Sequence, residues 1–386
     1  MSRPLDPDPG SEHGHDPLAG TVHLVYPHGL ATWGPDAIGR HLGERLERHY
    51  TVAYHDWTER AVITPKDGDI LVGHPHPSPS TVFRRSCRRR GWRRIVMLSP
   101  FNTDPSQVAF LDDVIGDCDL YLAISGPHWF ADLKGSRYSH WVPKMRRLDM
   151  AVDRADYPPI KTSFNGPGSR RLVYIGHTGR AKNTTYLTEI AGRLPGVEMA
   201  WVGRGHRPIR GLTELGWLDY ATPEGRERIA RFDFLITVGS ADANPTTILE
   251  AMSWGIIPIC TPQSGYEGIP GIINIPLGDP DAAAAIIRGG LDRPSDELAE
   301  IQRANWALLD RDYTWERFTD RVVSAIESDE RPPLGTEGRV RRAWLIMDST
   351  RSRAAWQARA VRAAPRQLVR ALRRRARRGI GVTSWM

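Results

Sequence analysis

Cysteine is scarce: the chain of 386 residues has three, Cys87, Cys118 and Cys260. Three thiols cannot build a disulfide framework, and these are too widely spaced for a metal site, so they read as small buried side chains in a reducing, cytoplasmic setting. Long hydrophobic runs are also missing. No stretch approaches the roughly 18 apolar residues of a membrane span. The first twenty residues hold prolines, acids and histidines without an apolar run, which excludes a secretory leader in that stretch and predicts disorder. Excess positive charge is absent from most of the chain as well. Fifteen arginines against Glu337 and Asp348 give residues 331–386 a charge of +13, and since the whole chain is +7, the remainder carries −6. Nucleic acid is therefore not an expected partner; that reading would rest on the tail and on one internal cluster, Arg84, Arg85, Arg88, Arg89, Arg90, Arg93 and Arg94.

What the chain does contain is alternation. Short β-rich apolar runs alternate with helical periodicity from about residue 21 to residue 290, the pattern of parallel strands joined by crossover helices. The expected strands are Val22–Tyr26, Thr51–Tyr54, Asp69–Val72, Ile95–Leu98 and Leu120–Ile124, then Leu172–Ile175, Val197–Val202, Phe234–Val238 and Ile257–Cys260. Ile38, Leu42 and Leu46 mark the first helix, with Asp36 as its expected cap. The Pro- and Gly-containing stretch 153–168 divides the pattern into two halves, so the length predicts two doubly wound α/β domains facing across a cleft. The expected organisation is a disordered tail over 1–20, one domain over 21–152, a linker over 153–168 and a second domain over 169–295. Helices over 296–330 then pack back across both, and an Arg-rich tail covers 331–386. In that tail Arg366, Arg370, Arg373, Arg374 and Arg377 recur at helical steps beside Leu368 and Leu372, which fits either an amphipathic segment on an anionic membrane or a solvated basic tail.

The most informative segment is Arg231–Cys260. An apolar strand ends at Val238, a small-residue loop follows, and Asn244-Pro245 opens a helix as expected N-cap and first helical residue. The backbone N–H groups near Thr246 and Thr247 would then face an anion at the positive end of the helix. Glu250 falls on the same face one turn deeper, where a carboxylate among apolar neighbours needs hydroxyl partners. Asp242 lies on the loop above. Upstream, the strand Leu172–Ile175 runs into Gly176-His-Thr-Gly-Arg-Ala-Lys-Asn183, and Arg180 and Lys182 stand where open α/β sheets place ligands, able to neutralise a diphosphate. In the first half, the loop Pro27–Pro35 carries His28 and Gly34, whose spacing does not fit a dinucleotide-binding glycine motif; Gly34 serves either close approach to a ligand or a plain turn.

This constellation resembles the retaining GT-B glycosyltransferases of family 4, the group 1 type. The matching residues are Asp242 and Glu250, two acids eight apart, followed by Ala251-Met252 and by Gly255-Ile256-Ile257-Pro258. Asp stands where the family has its first Glu, one extra residue separates Gly255 from Pro258, and the Gly176–Asn183 loop is a residue shorter, with His177 in place of an arginine. The resemblance covers most of residues 21–325 and is strongest from Arg171 to Gly268. It implies two Rossmann-like domains and transfer of a sugar from a nucleoside diphosphate sugar to a glycan or lipid-linked acceptor, with retention of configuration and no cofactor or metal. Lys182 and Arg180 would meet the diphosphate with the Thr246 and Thr247 amides, Glu250 the ribose and Asp242 the sugar, with Gly34, Gly176 and Asn244 shaping the donor pocket. His28, His74 and His76 are candidates for acceptor or sugar contact. The Arg84–Arg94 cluster and the tail would hold the enzyme to a membrane's cytoplasmic face. A GT-B epimerase or phosphorylase, or a non-catalytic binder of nucleic acid or sugar nucleotide, are the competing readings.

Overall fold

The computed structural model describes residues 20–27, 34–205 and 207–335. The expectations for His28 and for the basic tail beyond residue 335 fall outside these residues.

Two six-stranded sheets organise the chain. The first uses β1 (Thr21–Tyr26), α1 (Gly34–Leu46), β2 (Thr51–Asp56), β3 (Ile70–Gly73), α2 (Val82–Ser86), β4 (Arg94–Pro100), α3 (Pro105–Val108), β5 (Leu120–Ile124), α4 (Pro127–Leu133) and β6 (Met145–Leu148). The second uses β7 (Arg171–Ile175), α5 (Thr184–Gly192), β8 (Glu198–Val202), β9 (Thr213–Gly216), α6 (Pro223–Ala230), β10 (Phe234–Thr237), α7 (Thr246–Trp254), β11 (Ile257–Cys260), β12 (Ile273–Asn274) and α8 (Pro280–Leu291). Strand order is β2-β1-β3-β4-β5-β6 and β12-β11-β10-β7-β8-β9, with parallel pairing throughout. The central strands are apolar because helices cover both of their faces: every residue of β3, β5, β10 and β11 is buried. Order reverses between β1 and β3 in one sheet and between β7 and β10 in the other. Those two points are where a crevice opens beyond the carboxyl ends of the strands.

The long helices α9 (Ser295–Asp312) and α10 (Trp315–Glu327) leave the second sheet and end on the first. The former packs on α7 and β11, the latter on α1, β4 and β5. Thr314 starts α10 by accepting a hydrogen bond from the Arg317 amide, and Trp315, Phe318, Val322 and Ile326 form its buried stripe at helical spacing. One core cluster then runs from β1, β3 and β5 through α10 to α7 and β10 without a break. Apolar burial at roughly 1.5–3 kcal/mol per large side chain holds the two units together through this helix pair.

Several expectations need correction. Helix α1 begins at Gly34, so Asp36 sits inside its first turn rather than at the cap. Three strands were not anticipated: β6, β9 and β12 are short sheet edges, and the outward residues Arg146 and Arg147 break the apolar run of β6. Within the segment 153–168, which joins the two sheets, the Ile160 and Lys161 amides donate to the Trp254 carbonyl and Lys161 pairs with buried Asp233 at 2.9 Å. The arginine cluster is not one surface either. Arg84 turns inward to Pro77 O and Asp113, and Arg94 to the Ala325 and Glu330 carbonyls, while Arg85, Arg88, Arg89, Arg90 and Arg93 are exposed. All three cysteines are free and buried, as expected.

Candidate functional site

The loops that follow β7 and β10 meet above the reversal point of the second sheet, because those strands are paired at its centre. In the first loop Gly176 takes a φ of +152°, and a Cβ there would lie 3.0 Å from the Tyr174 hydroxyl. The Gly176 carbonyl accepts from the Trp201 indole at 2.8 Å, and Tyr174 donates to the His177 carbonyl at 2.7 Å. Arg180–Lys182 form one 3-10 turn, and Asn183 leaves it in the left-handed conformation to start α5. The second loop is tied to the first by the Ser240 amide, which donates to Ala181 O at 2.9 Å, and by an ion pair of Lys182 Nζ with Asp242 Oδ2. Gly239 permits this approach: a Cβ there would stand 2.9 Å from Cβ of Asp242.

The Asp242 loop is also held by the first unit, through residues that no sequence motif marked. Ala241 O accepts from both Asn102 Nδ2 and Gln107 Nε2 at 3.0 Å. The Trp129 indole donates to Asp242 O at 3.3 Å and Gln263 O at 3.2 Å, and the Gly126 amide donates to Ala243 O at 3.1 Å. Gly126 packs so closely on Gly265 that an added Cβ would lie 1.6 Å from its carbonyl oxygen. Loops after β4 and β5 thus clasp the loop after β10, and the cleft between the units is closed at this point.

Asn244 does not cap the helix. Its Oδ1 accepts from the Met150 amide at 2.8 Å and its Nδ2 donates to Gly265 O at 3.3 Å, so the buried amide is committed to joining the two units. Pro245 occupies the cap position of α7, and no side chain caps the helix. Its first-turn N–H groups therefore remain oriented toward the loops with the positive end of the helix dipole. One turn down, Glu250 is half-buried, and the hydroxyls of Thr246 and of Tyr157, a residue of the stretch read as linker, lie near enough to favour its charged form. Burial pushes the Glu250 carboxyl above the ordinary glutamate range, against the pull of those two hydroxyls and of Lys182. Thr247 is half-buried on the same first turn.

Arg180 is exposed and makes no ion pair among the described residues. His177 Nδ1 accepts from the Gly179 amide at 2.9 Å, and burial with the nearby Lys182 charge lowers its pKa. The lowered pKa leaves His177 uncharged at neutral pH.

In the first unit His74 and His76 follow β3, at the reversal point of its sheet. His74 donates from Nδ1 to Pro75 O at 2.9 Å and lies edge-on to Tyr26 and Trp57, and burial lowers its pKa to about 4. His76 Nδ1 accepts from the Ser78 amide at 3.0 Å, with its ring against Trp57. Gly34 is the first residue of α1. Among the described residues no group of His, Cys, Asp or Glu is arranged to hold a metal ion, and no helix is long and apolar enough to cross a membrane.

No protein-family model and no curated protein sequence matches this chain. Solved structures do match in fold. Sucrose-phosphate synthase from Thermosynechococcus elongatus superposes with a TM-score of 0.59 at 13% identity, over 79% of this chain and 98% of that one. A glycosyltransferase from Rickettsia africae gives 0.57 at 11%, over 80% and 98%. The Anabaena protein HepE, solved with UDP and glucose, gives 0.56 at 12%, over 80% and 99%. The chain has the two-domain α/β fold of these GT-B glycosyltransferases.

Proposed function

We propose that the protein transfers a sugar from a nucleoside diphosphate sugar, bound on the second unit, to an acceptor hydroxyl presented by the first. The observation that carries this reading is the Lys182–Asp242 pair at the meeting of the β7 and β10 loops, directly above the uncapped start of α7 and Glu250. Without a donor, Asp242 neutralises Lys182. When the diphosphate arrives it takes over Lys182, with Arg180 and the amides near Thr246 and Thr247, and Asp242 is released to bind sugar hydroxyls. Glu250 exchanges the Thr246 and Tyr157 hydroxyls for those of the ribose. The bond from the anomeric carbon to the phosphate oxygen breaks with charge spread over Lys182 and Arg180. The acceptor oxygen forms the new bond and its proton leaves with the diphosphate.

Retention of configuration and a family 4 relationship are what the sequence resemblance implies. The two cations and the helix end supply the positive charge that a metal would otherwise bring, so the reading needs no metal or cofactor. His74, His76 and Trp57 are taken as the acceptor-side residues, and His28 and Gly34 are kept as candidates from the sequence. The acceptor is taken to be a glycan or lipid-linked sugar at the cytoplasmic face of a membrane, supported by the exposed arginines between residues 85 and 93 and by the charge of the tail. The three free thiols suit a reducing compartment.

Incubation with a sugar-labelled nucleotide donor and a mixed glycan and lipid-linked acceptor pool tests the reading. Labelled acceptor supports it. An isomerised or phosphorolysed donor would instead identify an epimerase or phosphorylase on the same fold, and an untouched but bound donor a non-catalytic binder. The Lys182→Ala variant is expected to lose at least a hundredfold in kcat/KM, the loss typical when one group that stabilises developing charge is removed.

A further inference from the structure

A cavity of about 320 Å³ lies apart from the donor loops, between the end of β6, the chain at Ile269–Pro270 and the junction of α9 with α10. Leu148, Met150 and Phe318 give it an apolar floor. Its rim carries Arg147, Arg311, Arg317 and Arg321, against Asp149 and Asp312. Asp149 pairs with Arg147 at 3.3 Å, and Asp312 with Arg311 at 2.7 Å and Arg317 at 3.7 Å. Arg321 has no ion pair among the described residues, and the four guanidiniums exceed the two carboxylates by two charges.

Four like charges around one hollow repel one another, and the protein supplies half the counter-charge. An anion with several oxygens would complete it, since guanidinium groups bind phosphate through paired N–H donors. The volume stands at the low end of ligand pockets, which favours a small molecule over a nucleotide sugar. The two carboxylates would repel a bare anion but accept hydrogen bonds from hydroxyls. We propose that this cavity binds a small phosphate monoester that also bears hydroxyl groups, with Arg321 and Arg147 on the phosphate and Asp149 on a hydroxyl.

The site adjoins the joint between the two units. Met150, in its floor, donates its amide to Asn244, the residue that ends the Asp242 loop. A ligand held between β6 and α10 would therefore rest on the same connection that holds the donor loop against the first unit. Its occupancy does not depend on the proposed transfer reaction, so the binding test stands whether or not that reading holds.

Isothermal titration of the full chain with glycerol 3-phosphate, inorganic phosphate and glycerol tests the proposal. Glycerol 3-phosphate is expected to bind at least tenfold more tightly than inorganic phosphate, and glycerol not measurably. Arg321→Ala and Arg147→Gln, each checked for an unchanged circular dichroism spectrum, should weaken the ester at least tenfold, while Lys182→Ala leaves it unaltered. The proposal is overturned by an absence of binding, by equal affinity for inorganic phosphate, or by binding that Lys182→Ala abolishes and both arginine variants retain.

Discussion

Lys182 and Asp242 are sixty residues apart in sequence and share one ion pair between neighbouring loops. Both were legible as chemistry-bearing residues, because each sits just beyond an apolar strand in a short loop rich in small residues. Their pairing was not, since it depends on β7 and β10 being neighbours. Tyr157 was hidden in the same way: nothing in a proline-rich stretch says that its hydroxyl reaches Glu250. That contact leads to a pH prediction. Glu250 has a raised pKa, so the native state holds its proton more tightly than the unfolded chain, and stability falls as pH rises through the interval above the ordinary glutamate value. Glu250→Gln removes that loss. The Tm difference between variant and ligand-free wild type should be more favourable to the variant at pH 7 than at pH 4, while nucleotide-sugar binding at pH 7 is abolished; equal differences at the two pH values would refute the account of Glu250. His74 has the opposite sign. Its pKa of about 4 means the native state refuses a proton that the unfolded chain accepts near 6.5, so stability is lost as pH falls between those values. The full shift corresponds to about 3 kcal/mol. Histidine resonances followed by NMR should include a ring that stays neutral down to about pH 4, lower than any other, and that signal should vanish in His74→Asn.

At the scale of elements, β-rich runs buried on both faces announced the central strands, and the α7 region was located to within two residues. Three of the four edge strands escaped, because β6, β9 and β12 need apolar residues on few positions and have no repeat to detect. The cap of α7 was misassigned for a different reason. Asn244 has the right side chain for capping, but Met150 and Gly265 claim it, and a tertiary partner outweighs a local preference. Helix α10 carries the heaviest structural duty, since its stripe closes the first sheet while α9 remains on the second. Phe318 is 2% exposed in that stripe. Phe318→Ala should cost about 3–5 kcal/mol, read as a lowered urea midpoint for the whole chain. Loss of one early transition with the rest intact would mean that the two units unfold separately.

For the molecule as a whole, two similar six-stranded sheets are joined by the loops after β4, β5 and β10 and by the helix pair α9 and α10. The second unit has the Lys182 charge and the start of α7 at its reversal point; the first, among the described residues, has His74, His76 and Trp57 there. Two-domain organisation was readable because strand and helix signals recur over nearly 300 residues with a proline-rich break between. The clasp of Asn102, Gln107, Gly126 and Trp129 on the Asp242 loop was not, because it forms only when the units come together. The proposed function rests on the donor wall, and a panel of UDP, GDP, ADP and dTDP sugars followed by thermal shift addresses it directly. At a hundredfold excess over its dissociation constant the correct donor should stabilise the wild-type protein by roughly 3 kcal/mol, and Lys182→Ala and Glu250→Gln should lose that shift. No shift with any of the four classes, or a shift that both variants keep, would contradict the donor site.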